Sequence, residues 1–122
     1  MRAVEASDDE TLFVRVATKA ELAAAGGTLR VSVNGKGVAI FDSFGALHAV
    51  QNACPHRGAP LIGGHVRLMT DGLFVICPDH AWRFDLTNGA CPEAGPECTL
   101  LTWDVKVEGE DILLSRLPRM GP

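Results

Sequence analysis

The chain has 122 residues, 47% of them hydrophobic, and a formal net charge of −4. That length fits one domain with a sizeable core, and mild acidity argues against nucleic acid as a partner. No apolar run is long enough for a membrane span and residues 1–10 have no leader-like apolar core, so a cytoplasmic protein with reduced cysteines is expected.

Residues 1–10 read as an acidic arm. Thr11–Ala17 alternates around Leu12, Val14 and Val16 and predicts a strand. Lys19–Ala25 is rich in helix formers and stops at Gly26-Gly27, which predicts one short helix. Thr28–Val33 and Lys36–Asp42 flank Asn34-Gly35, a hairpin signal because a type I′ turn needs positive φ at both central residues. Ala46–Gln51 predicts a further strand after a turn at Ser43–Gly45. Val66–Met69 and Leu73–Ile76 flank Thr70-Asp71-Gly72 as a second hairpin. Arg83–Leu86 is a short strand turned by Thr87-Asn88-Gly89, and Ala90–Glu97 is a Pro/Gly loop. Thr99–Val107 and Asp111–Arg116 form a closing hairpin, followed by a tail. Many short strands with frequent turns predict an all-β sandwich or barrel.

Two loops carry the chemistry: Cys54-Pro55-His56 and Cys77-Pro78-Asp79-His80. Each offers one thiolate and one imidazole directly after a predicted strand. Twenty residues separate His56 from Cys77, and they hold the second hairpin. That hairpin would bring both loops to one end of a sheet. Two thiolates and two imidazoles satisfy tetrahedral zinc, and they also satisfy an iron–sulfur cluster with histidines on one iron. Structural zinc sites usually pair like ligands in each knuckle. Here each loop mixes the two types, which suits a cluster lying between the loops. Cys54 and Cys77 would take one iron, and His56 and His80 the other.

With these boxes the chain resembles the Rieske [2Fe–2S] family, whose pattern is C-x-H, a spacer, then C-x-x-H. The match runs through Cys54-Pro55-His56-Arg57-Gly58-Ala59-Pro60-Leu61 and Cys77-Pro78-Asp79-His80-Ala81-Trp82-Arg83-Phe84-Asp85, and covers roughly residues 12–116. The spacer is a few residues longer than is usual, and the extra length is placed near Arg67–Asp71. The resemblance implies a Rieske-type antiparallel β-sandwich or barrel with one short helix. It implies a single domain over residues 11–117, a cluster-binding subdomain at about 52–97, and a tail at 118–122. It also implies one [2Fe–2S] cluster per chain on Cys54, His56, Cys77 and His80. High-potential members carry an extra cysteine in each box and two hydroxyl donors after the second box. Ala59, Asp79, Trp82 and Phe84 stand at those positions, so a potential near the low end of the Rieske range, roughly −150 mV, is expected.

The function implied is a single-electron carrier between a flavin-dependent ferredoxin reductase and a terminal oxygenase of the aromatic-ring hydroxylating type. No residue set that would make the chain an enzyme by itself is present in the sequence. The competing readings are the small subunit of a nitrite reductase and a zinc-stabilised binding module. Cys91 and Cys98 read as ordinary thiols in preference to a redox pair. His48 and Trp103 read as packing residues, His65 as a solvated loop residue, and Trp82 as a shield or core anchor. Arg57 and Arg83 are candidates for a docking patch.

Overall fold

A computed structural model describes residues 12–43, 45–55, 58–78, 82–95 and 98–119. The acidic arm, the tail beyond Arg119 and four short internal stretches lie outside them. Strand β1 (Phe13–Thr18) leads into helix α1 (Lys19–Ala24). Thr18 caps the helix: its hydroxyl accepts the Glu21 N–H at 3.1 Å, and the Glu21 carboxylate accepts the Thr18 N–H at 2.8 Å. Gly26 and Gly27 end it, both with positive φ, and the Gly27 N–H returns to the Leu22 carbonyl at 2.9 Å.

Strands β2 (Thr28–Val33), β3 (Lys36–Ser43) and β4 (Ala46–Gln51) follow. The β2–β3 turn places Asn34 at φ 50° and Gly35 at φ 79°, as a type I′ hairpin requires. Strands β5 (His65–Met69), β6 (Gly72–Ile76) and β7 (Arg83–Asp85) form a second group, and β8 (Thr102–Trp103), β9 (Val105–Glu108) and β10 (Asp111–Ser115) complete the set. Every strand pair is antiparallel. The strands make three sheets, ordered β1-β10-β9, β2-β3-β4-β8 and β5-β6-β7. The expected antiparallel all-β architecture with one short helix is therefore the one observed.

One expected strand is corrected. Thr99–Val107 is two strands: β8 pairs with β4, and β9 pairs with β10 in another sheet. The chain changes sheets at Asp104, whose N–H donates to the Ser115 hydroxyl at 3.1 Å while its carbonyl accepts the Ser115 N–H at 3.0 Å. The break therefore leaves neither backbone group of Asp104 unpaired.

The sheet β2-β3-β4-β8 contributes to two separate cores. Val38 and Ile40 pack with Leu22, Trp103, Ile112 and Leu114 in one. Ala39 and Phe41 pack with Val75, Phe84 and Leu86 in the other. Alternate residues of β3 thus enter opposite cores, which is why β3 is apolar without a break from Val38 to Phe41. The second core also receives all four cysteines. Among the described residues no helix is long and apolar enough to cross a membrane.

Candidate metal centre

Cys54 lies three residues past β4, where the chain closes into a small ring. The Cys54 N–H donates to the Ala59 carbonyl at 2.8 Å, and the Cys54 carbonyl accepts the Gly58 N–H at 2.6 Å. Gly58 has φ 79°, a turn that other residues adopt only with strain. The Asn52 side chain accepts the Ile62 N–H at 2.9 Å and ties the ring to a 3-10 turn at Leu61–Gly63 that the sequence reading does not anticipate. Leu61 is fully buried and holds that turn in the core.

Cys77 directly follows β6, and its N–H donates to the Trp82 carbonyl at 2.8 Å, closing a second ring. The β5–β6 register sets His65 opposite Ile76, so the residues entering and leaving the hairpin are neighbours. Gly64 makes this possible: a Cβ there would collide with the Ile76 carbonyl oxygen. The hairpin turns at Thr70-Asp71, with Met69 opposite Gly72. That turn falls within the stretch where the extra spacer length is expected.

Cys54 and Cys77 are each 1% exposed and share one core. Thiolates buried among apolar side chains are costly without a neutralising partner, and a soft metal supplies one. The two described donors therefore fit a metal–sulfur group. Among the described residues no three potential ligands converge, because His56 and His80 lie outside them.

Cys91 and Cys98 are also buried in this core, and neither is in a disulfide. Burial pushes the Cys91 thiol up. Trp82 packs partly buried against the same core, and Trp103 sits in the other one. His65 is exposed at the start of β5. His48 is on β4, opposite Phe41 of β3, and burial lowers its pKa. Arg83 is not a free surface cation: its guanidinium bonds Glu93 at 2.8 Å and stacks over Phe74 at 4.8 Å. Glu93 is the residue that sequence reasoning missed. Its only advance signal is a carboxylate placed inside a Pro/Gly loop.

The family model for the Rieske [2Fe-2S] domain matches residues 12–116. The chain belongs to the Rieske family. As a Rieske protein it binds a [2Fe–2S] cluster and transfers single electrons. It is similar to the ferredoxin component of the naphthalene 1,2-dioxygenase system of Pseudomonas aeruginosa, with 32% identity over 89 residues, 73% of this chain and 82% of that protein. The solved ferredoxin of carbazole 1,9a-dioxygenase from Nocardioides aromaticivorans IC177 is 31% identical, has a TM-score of 0.67, and is matched over 84% of this chain and 96% of its own. A protein described as an NADH-dependent nitrite reductase small subunit, from Mycobacterium tuberculosis, has a TM-score of 0.76 at 24% identity, over 87% of this chain and 96% of its own. At that identity the likeness is one of Rieske fold alone.

Proposed function

We propose that this Rieske protein is the ferredoxin component of a multicomponent oxygenase, with Cys54, His56, Cys77 and His80 holding its cluster. It would take electrons one at a time from a flavin-dependent reductase and deliver them to a terminal oxygenase. The observation that carries the reading is the pair of closed loops, each opening on a buried cysteine of one shared core. Similarity to dioxygenase ferredoxins over most of their length supports the choice of partners. The domain is taken as residues 11–117 with the cluster-binding part at about 52–97, and the compartment as the cytoplasm.

When bound, a [2Fe–2S] cluster supplies one reversible one-electron change. The chain's own residues decide where that change is felt. Cys54 and Cys77 would hold one iron from the buried core they share with Leu61, Phe84 and Leu86. His56 and His80 would hold the other iron, and a partner would receive the electron from that side of the cluster. Phe84, fully buried, has no hydroxyl to donate, in keeping with a potential near the low end of the Rieske range, roughly −150 mV.

Spectroscopy of the purified protein tests this. A red-brown chromophore and a paramagnetic signal of the mixed Cys/His type on reduction are expected. His80→Ala should abolish both. A normal spectrum in that variant would show His80 to be misassigned, and a colourless protein with one zinc per chain would refute the reading.

A further inference from the structure

The segment from Cys91 to Cys98 holds no strand among its described residues, yet it packs on the core of Cys54 and Cys77 through Cys91, Ala94 and Cys98. Backbone bonds within it are local, from Ala94 and Gly95 to the Cys91 carbonyl and from Cys98 to the Gly95 carbonyl. Among the described residues, one ionic contact reaches outside the segment. The Glu93 carboxylate accepts the Arg83 backbone N–H at 3.2 Å and the Arg83 Nε–H at 2.8 Å, one on each oxygen. The Cys91 thiol lies 3.8 Å from the first of these oxygens.

Arg83 is placed to gather several elements at once. It opens β7, one residue after Trp82, whose carbonyl closes the ring begun at Cys77. Its guanidinium lies over the Phe74 ring of β6, 3.5 Å from the Asp71 carboxylate and 3.5 Å from the Met69 sulfur. An ordinary surface ion pair contributes little. Here the carboxylate receives two donors from one residue, and a stacked, planar cation is already fixed by its other neighbours. Burial works to raise the Glu93 carboxyl, but the Arg83 hydrogen bonds outweigh it and hold the carboxyl below the usual range.

We propose that Arg83 and Glu93 are positioning residues that latch the 91–98 segment onto the ring of Cys77, and that this latch sets how firmly the [2Fe–2S] cluster is retained. The proposal rests on the ligand assignment made above, because it needs the Cys77 ring to be a cluster loop. The pair is neutral as a unit, so each single neutralisation does two things. It opens the latch, and it changes the net charge beside the site by one unit, with Asp71 still 3.5 Å from the guanidinium when Glu93 is replaced.

The test compares wild type with Glu93→Gln, Arg83→Gln and the double variant, all purified with cluster. Glu93→Gln keeps the shape of the side chain and can still accept the backbone N–H, so the fold is preserved. Iron release to a ferrous chelator should accelerate about tenfold in each single variant, the change expected from losing one charge-assisted hydrogen bond. The midpoint potential should rise in Glu93→Gln and fall in Arg83→Gln, because removing a carboxylate favours the added electron and removing a cation opposes it. The double variant should release iron quickly yet return towards the wild-type potential. A purely structural contact would not displace the two potentials in opposite directions. Release rates within about twofold of wild type in both single variants overturn the latch while leaving the ligand assignment standing. A wild-type chain that takes up no cluster overturns the ligand assignment, and the latch with it.

Discussion

His48 stands opposite Phe41 in the β3–β4 pair, and burial is the main reason its pKa is lowered. Asp85 pulls the other way and Arg119 reinforces the effect. The folded protein therefore favours the neutral imidazole, while the unfolded chain takes up a proton below the ordinary value of 6.5. Stability from this group is present above that value and is lost as pH falls below it. His48→Phe should flatten the acid limb of a melting-temperature profile just below pH 6.5; an unchanged limb would show that His48 does not govern it. Glu93, a depressed carboxyl, gives stability that lasts through neutral pH and fades only below the usual carboxylate range. The cysteines of both boxes could be read from their neighbours in sequence. Arg83 could not, since its carboxylate partners sit ten residues ahead and twelve behind, and no local pattern links them.

The elements that the sequence places best are those fixed by their turns. Strands β2 and β4 match their expected ranges because Asn34-Gly35 and the turn before Ala46 leave no freedom of register. Helix α1 carries its own start signal in Thr18 and Glu21 and its own stop in Gly26. The stretch from Thr99 to Val107 reads as one strand because its composition is uniform, while the sheet change at Asp104 depends on Ser115, which only folding brings near. The 3-10 turn at Leu61–Gly63 is equally silent, being held by Asn52 from ten residues earlier. Its neighbour Gly64 is a sharp test of element packing. Gly64→Ala should cost about 2 kcal/mol in denaturant unfolding, because the new methyl meets the Ile76 carbonyl one residue before Cys77. Gly63→Ala has open space and should be close to neutral, so equal losses at both positions would sink the packing argument.

Across the whole molecule, Arg119, near the end of the described chain, ties β8 to the turn after β7. The Arg119 N–H donates to the Thr102 carbonyl at 2.7 Å and its Nε to the Thr102 hydroxyl at 3.1 Å, within β8. The same guanidinium donates to the Thr87 carbonyl, just past β7 in the cluster-binding part. Arg119→Ala should cost about 1 kcal/mol and speed amide hydrogen exchange around Thr87 more than around Val31, which lies far along β2. Uniform acceleration at both places would mean that Arg119 serves global stability only. The sheet that joins β1 to β10 has a different kind of consequence, one of timing. The hairpins from Thr28 to Gln51 and from His65 to Asp85 pair with neighbours and close short loops. Strand β1 must wait for Asp111–Ser115, so during synthesis Val14 and Val16 leave the ribosome long before their covering strand. The hairpins that flank Cys54 and Cys77 can therefore pair on the nascent chain while the β1–β10 pairing is still unmade.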